Sequence, residues 1–313
     1  MALRIVHGWK GLAPAERGAA LALGNFDGVH LGHRQVIALA AKAAQDLKAP
    51  LGVLSFEPHP RRYFQADVAP FQLMSLPQQA EVLDGLGVDV FYVLPFDVTM
   101  AGLTDEAFAR EVLAEGLGVR HVAAGFDVTF GKGRSGSPEH LKDYGARFGF
   151  SVSVADQLLG PHGEKCSSTA VREALAAGLP ELAAQLLGRA FAIRAVVVHG
   201  DKIGRTLGFP TANMEFGDYV RPRPGIYATR TRLADGREIA GVAYIGMRPT
   251  VNGVDERLEV NLFDFDEDLY GQTLETDLVR FIRGDEHFDS LEAMKAQIAR
   301  DCQTARDLLL PAF

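Results

Sequence analysis

Short apolar runs alternate with amphipathic stretches through the first half of the chain. Residues 19–24 (AALALG) form one apolar run, residues 33–47 place apolar side chains at helical spacing, and residues 51–56 (LGVLSF) are apolar again. This order predicts strand, helix, strand, the unit of a parallel sheet covered by helices. A helix over 78–88 before a strand over 90–94, and a helix over 106–119 before a strand over 121–126, extend the pattern into a doubly wound, Rossmann-like α/β fold. Residues 169–188 read as two short helices broken at Gly178-Leu179-Pro180. From Phe191 the period changes. Short β-rich runs at 191–200, 225–233, 238–246, 258–265 and 277–282, separated by Gly, Pro and Asp, predict a small antiparallel barrel. The tail, 289–309, returns to helical spacing through Leu291, Met294, Ile298 and Leu308, with Asp289 as the expected N-cap and Glu292 three residues on. The change of period divides the chain into domains 1–186 and 187–313.

Composition narrows the class. A length of 313 residues suits two domains, and 47% apolar with 23% charged residues is the balance of a soluble globular chain. The formal charge of -8 argues against a surface that tracks nucleic-acid phosphates, so small ligands are expected. The first residues lack the basic segment and apolar run of a secretory signal, and no apolar stretch approaches a membrane span, so a cytoplasmic location and no membrane partner are expected. Cys166 and Cys302 are the only cysteines and have no metal-ligand spacing, which fits reduced thiols.

After the first long apolar run the chain reads Gly24-Asn25-Phe26-Asp27-Gly28-Val29-His30-Leu31-Gly32-His33 and enters a helix. Glycines let the backbone approach a ligand closely, and a helix N-terminus offers free N–H groups and a positive dipole end to an anion. A single histidine at a helix start caps or meets solvent as readily as it binds. Two of them, placed with Gly24, Gly28 and Gly32 at a strand-to-helix turn, point to phosphate binding. Neither the P-loop spacing nor GxGxxG is present.

This motif resembles that of the HxGH nucleotidyltransferases and, within them, the bacterial bifunctional riboflavin kinase/FMN adenylyltransferases. The stretches FEPHP (56–60), GFDVTFGKGRSG (125–136) and SSTAVREAL (167–175) are similar to that family too, and the likeness covers nearly the whole chain. It implies an HxGH nucleotidyltransferase domain followed by a riboflavin kinase barrel with a C-terminal helix. It also implies transfer of AMP from ATP to the phosphate of FMN, giving FAD and pyrophosphate. In that reading residues 24–28 and Gly32 cradle the nucleotide, and His30 and His33 donate to phosphate oxygens. Arg172, following Ser168 and Thr169, would hold the β- and γ-phosphates as a guanidinium fork can. His59, Phe64 and Asp127 fall where the family contacts flavin. For Phe64 a place in the core is an equal alternative, and Val128 departs from the usual phenylalanine.

A second constellation, residues 200–213, joins Gly200, Lys202, Gly204 and Arg205 to Thr211 and Asn213. Glycine loops with cations cradle phosphates, and Thr and Asn oxygens suit a hard Mg²⁺ ion, although these residues also make ordinary turns. The run GRTLGFPTAN resembles the riboflavin kinase nucleotide signature, which implies that Thr211 and Asn213 serve Mg²⁺ and the ATP phosphates. Glu259 would then be the base that takes the riboflavin 5′-hydroxyl proton. Ala195, Asn261 and Asp285 depart from the family's usual glycine, histidine and glutamate. The acidic cluster Asp264, Asp266, Glu267 and Asp268 reads as a solvated loop without chemistry. The expected ligands are therefore riboflavin, FMN, ATP and Mg²⁺, with FAD as product. An adenylyltransferase whose barrel only binds flavin, or a flavin carrier, are the rival readings.

Overall fold

The computed structural model describes residues 2–199, 209–250 and 253–309. The chain divides into two compact units, Met1–Ala69 with Leu76–Ser167, and Pro70–Ser75 with Ser168–Phe313.

The first unit is built on six strands: β1 (Arg4–His7), β2 (Ala20–Leu23), β3 (Leu51–Glu57), β4 (Val90–Pro95), β5 (His121–Gly125) and β6 (Ser151–Ala155). They lie in the order β1-β4-β3-β2-β5-β6 and every pairing is parallel. The central strand β2 is buried at all four positions, as an apolar run without alternation requires in a sheet covered on both faces. The connecting helices are α1 (Leu31–Leu47), α2 (Pro60–Phe64), α3 (Leu76–Gly85), α4 (Val98–Gly102), α5 (Asp105–Ala107) and α6 (Pro138–Phe148). α1 starts at Leu31, two residues before the expected start, because His30 caps it. The helix expected over 106–119 is only one α-turn. The hydroxyl of Thr104 caps that turn, and Phe108–Gly116 continues as a π-helix, with the Leu117 amide donating to Val112. Its residues Phe108, Ala109, Val112 and Leu113 all enter the core.

Strand order reverses beside β2. From β2 the chain steps outward through β3 to β4 and then crosses back to place β5 on the other side of β2. In an open α/β sheet this reversal leaves a crevice at the carboxyl ends of the strands, where ligands bind. The loops leaving β3, β2 and β5 begin the segments 57–60, 24–33 and 126–136 that the sequence singled out.

The second unit opens with α7 (Ser168–Ala176) and α8 (Pro180–Leu187), separated at Gly178, whose φ of +76° ends α7. The 186/187 division read from the sequence falls at the end of α8. The helix pair packs within this unit: the Arg223 amide donates to the Leu175 carbonyl at 2.9 Å, and Glu181 pairs with Arg280 at 2.8 Å. Strands β7 (Phe191–Val198), β8 (Ala212–Met214), β9 (Gly225–Arg232), β10 (Glu238–Thr250), β11 (Gly253–Leu262) and β12 (Thr273–Arg283) close into a barrel in the order β10-β11-β8-β7-β12-β9. All its pairings are antiparallel. Helix α9 (Leu291–Leu309) covers one outer face, burying Cys302, Ala305 and Leu309 against Ala228, Val242 and Phe263. A guanidinium fork from Arg283 on β12 to the buried Asp301 on α9 fastens it, with Gln297 donating to the same carboxylate. The N-cap of α9 is Ser290 and not the expected Asp289, because the Ser290 hydroxyl accepts from the Ala293 amide at 3.1 Å.

His121, at the start of β5, is buried and bridges two strands, with Nδ1 2.8 Å from the Ser151 hydroxyl and Nε2 2.9 Å from that of Ser153. Burial holds its pKa below the ordinary 6.5, so the fold favours the neutral ring. The unfolded chain takes up a proton as pH falls through 6.5, whereas the fold does so only lower. His121 thus adds stability above that value and loses it beneath. Urea unfolding at pH 8 and pH 5.5 is expected to show a loss of stability on acidification that shrinks in His121→Gln; an equal loss in both proteins would contradict this account.

Candidate active sites

The first site grows out of the turn between β2 and α1. Phe26 (φ 51°) and Val29 (φ 40°) occupy the left-handed region although neither is glycine, and Gly28 lies between them at 86°. Such residues cost about 1–2 kcal/mol each and persist only where the surroundings over-determine them. Here both side chains are fully buried, and the turn's carbonyls are held from outside. The Gln79 amide on α3 donates to the carbonyls of Asn25 and Phe26, each at 3.0 Å, and the Ser55 hydroxyl on β3 donates to Asn25 at 2.8 Å. Gly32 is a close approach: a Cβ there would meet the Cys166 carbonyl at 3.0 Å and the His30 ring at 3.1 Å.

His30 is buried, and its Nδ1 accepts the His33 amide at 3.2 Å, which caps α1. With Nδ1 an acceptor, the neutral ring carries its proton on Nε2, and that N–H becomes the donor. The two imidazoles stack with centroids 3.6 Å apart, and Phe26 leans on His33 at 5.0 Å. The Sγ of Cys166 lies 3.9 Å from His30 Nδ1, and burial raises its thiol pKa. The turn, both histidines and the helix N-terminus thus form one constellation.

His59 caps α2, its Nδ1 accepting the Arg61 amide at 3.0 Å. Phe64 is 67% exposed, which rules out the core alternative. It meets Tyr63 and Phe96 edge to face at 5.2 and 5.6 Å, leaving an aromatic surface open to solvent. Asp127 is ion-paired with Lys165, whose ammonium sits 4.9 Å above the Phe126 ring. Gln79, Ser55 and Lys165 escaped the sequence reading. Their only signal would have been a polar residue on an apolar helix face for Gln79 and a lone cation before Cys166 for Lys165.

Ser168, Thr169 and Arg172 lie on α7, in the second unit. The Arg172 Nε donates to the Phe71 carbonyl at 2.7 Å, and its guanidinium covers the Phe71 ring.

The barrel brings Asn213 and Glu259 directly opposite each other on β8 and β11. Thr211 precedes β8, and the Asn261 amide steadies that entrance by donating to the Pro210 carbonyl at 2.7 Å. Gly200, Lys202, Gly204 and Arg205 lie outside the described residues. A cleft of about 250 Å³ opens beside Thr211, lined by Val260, Leu262, Phe265, Leu269 and Tyr270. Asp266, Glu267 and Asp268 also line it; Arg237 forks onto Glu267, and Arg306 forks onto the neighbouring Asp264. Among the described residues no group of three or more His, Cys, Asp or Glu side chains is arranged to hold a metal. No described helix is long and apolar enough to cross a membrane.

Comparison with known proteins follows the same division. The family model described as FAD synthetase matches residues 12–170, and the one described as riboflavin kinase matches residues 187–309. A Haemophilus influenzae protein named bifunctional riboflavin kinase/FMN adenylyltransferase is 40% identical over 97% of this chain and 98% of its own. Its Escherichia coli namesake is 41% identical over 97% of each. A crystal structure described as a macrolide-efflux protein from Streptococcus pneumoniae superposes with a TM-score of 0.87 and 29% identity, covering 98% of this chain and 99% of that one. With two family models matched in series and relatives alike from end to end, the chain belongs to the bifunctional riboflavin kinase/FMN adenylyltransferase family.

Proposed function

We propose that the chain makes FAD in two ATP-dependent steps: the barrel phosphorylates riboflavin to FMN, and the parallel-sheet unit joins AMP to FMN with release of pyrophosphate. The observation that carries this reading is the pairing of two different chemistries on one chain. One site offers hydrogen-bond donors at a helix N-terminus, and the other offers a carboxylate beside hard oxygen donors.

In the first-unit site the nucleophile is the FMN phosphate, already an anion, so no base is needed. An FMN oxygen attacks the α-phosphorus of ATP, and the bond to the β-phosphate oxygen breaks in line. The chain's task is to align the phosphates and to stabilise their charge. The Nε2–H of His30 and the His33 imidazole supply donors, with residues 24–28 and Gly32 as the close-fitting backbone. Exposed Phe64 offers a face for the isoalloxazine ring, and the flavin roles of His59 and Asp127 rest on the family motif. The triphosphate roles of Ser168, Thr169 and Arg172 rest on the family motif.

In the barrel the nucleophile is the riboflavin 5′-hydroxyl, which must lose a proton. Glu259 accepts it as the oxygen attacks the γ-phosphorus, and ADP leaves. The cleft beside Thr211, lined by apolar and aromatic side chains together with Asp266, Glu267 and Asp268, has room for the adenine, with the phosphates passing Thr211 toward Asn213 and Glu259. Thr211 and Asn213 present a hydroxyl and an amide oxygen, partly exposed and next to a carboxylate, a donor set that fits Mg²⁺. The ion, when bound, neutralises phosphate charge. The need of both steps for ATP supports a cytoplasmic location.

Two variants separate the sites. Glu259→Gln is expected to lower FMN formation by about a hundredfold or more while leaving FAD formation from supplied FMN intact, read by chromatography of the flavins. Wild-type FMN formation would remove Glu259 from the mechanism. Gln79→Leu frees two carbonyls of the strained turn and is expected to raise the ATP KM of FAD formation about tenfold, with riboflavin phosphorylation unaltered. An unchanged ATP KM would mean that the turn holds its shape without Gln79.

A further inference from the structure

Barrel register sets a row of residues across the outer face. Reading along it, Asn213 on β8 faces Glu259 on β11, Glu259 faces Tyr244 on β10, and Tyr244 faces Ile226 on β9. Directly opposite residues in a sheet point to the same side, their Cβ atoms about 5 Å apart. Glu259 therefore has the nucleotide-side Asn213 as one neighbour and Tyr244 as the other. A hydroxyl attacking the γ-phosphorus must approach Glu259 from the side away from the nucleotide, and that side is Tyr244.

The Tyr244 side chain is held in one position. Its ring lies along β10 over Gly246, where a Cβ would come within 2.1 Å of the phenol oxygen, so only glycine leaves it room. The phenol donates to the Asp285 carboxylate at 3.2 Å, and Asp285 itself is exposed. Burial, with the charges of Asp285 and Glu259, pushes Tyr244 up to about 12, so it remains a neutral phenol. A phenol that donates its proton to a carboxylate keeps its own lone pairs as acceptors, and the carboxylate has further acceptor sites. Two neighbouring acceptors fixed beside the base match two neighbouring alcohol groups of an acyclic polyol.

We infer that Tyr244, steadied by Asp285, is a specificity-determining residue of the kinase site that recognises the ribityl hydroxyls next to the one phosphorylated. This rests on the assignment of Glu259 as the base. Gly246 acts through Tyr244 as a positioning residue, while Asp285 both holds the phenol and presents the second acceptor.

The test compares riboflavin with an analogue lacking the 3′- and 4′-hydroxyls, using the full-length enzyme. Wild type is expected to favour riboflavin in kcat/KM. Tyr244→Phe is expected to lower riboflavin kcat/KM about tenfold, mainly through KM, and to leave the analogue's value unchanged. The ATP KM and FAD formation from FMN, which report on folding and on the other unit, should hold at wild-type values. Asp285→Ala should repeat the loss of discrimination from the other side of the hydrogen bond. Equal loss for both acceptors, or no loss for either, in both variants would overturn the inference. Glu259→Gln is run alongside: if it phosphorylates riboflavin at the wild-type rate, the base assignment falls, and the discrimination ratio of Tyr244→Phe still decides the inference.

Discussion

The turn from β2 into α1 is the constraint on which the chemistry proposed for the first unit depends. Two non-glycine residues, Phe26 and Val29, hold left-handed backbone there, a conformation that the free chain would abandon. Burial of both side chains and hydrogen bonds from Gln79 and Ser55 keep it in place. The chain thereby reaches the helix at the angle that lets His30 cap α1 and stack on His33. Stability spent in the turn is recovered by the core around it, and the result is a donor array fixed before any ligand arrives, the condition under which electrostatic stabilisation is most effective.

The barrel solves a different problem by a different device. Its acceptor substrate is an alcohol, so a base is required, and the base must sit between nucleotide and alcohol. For Glu259, the proposed base, strand register does this without strain: Asn213, Glu259 and Tyr244 occupy one row of three adjacent strands, and a one-residue slip would send Glu259 to the barrel interior. Two carboxylates of the acidic loop beside the cleft, Glu267 and Asp264, are held by arginine forks.

Much of this was legible in the sequence, for identifiable reasons. Unbroken apolar runs gave β2, β3 and β4 because a parallel sheet buries both faces, and Gly178-Leu179-Pro180 marked the break between α7 and α8 by φ freedom and a missing amide. The site residues that were legible belong to contiguous motifs. Those that were not act across the fold: Gln79 is 53 residues from the Phe26 carbonyl it holds, and Tyr244, which no motif marked, is 41 from the Asp285 that steadies it. Local pattern also misplaced what a single hydroxyl decides, since Ser290 and not Asp289 caps α9. It missed the π-helix at Phe108–Gly116, where packing against the sheet overrides the helical period.

The most direct measurement is a chromatographic time course of the purified chain with riboflavin, ATP and Mg²⁺, resolving riboflavin, FMN and FAD. The account predicts that FMN rises first and FAD follows from it. Riboflavin left untouched while added FMN becomes FAD would contradict the barrel as a kinase, and no turnover of either flavin would contradict the whole reading.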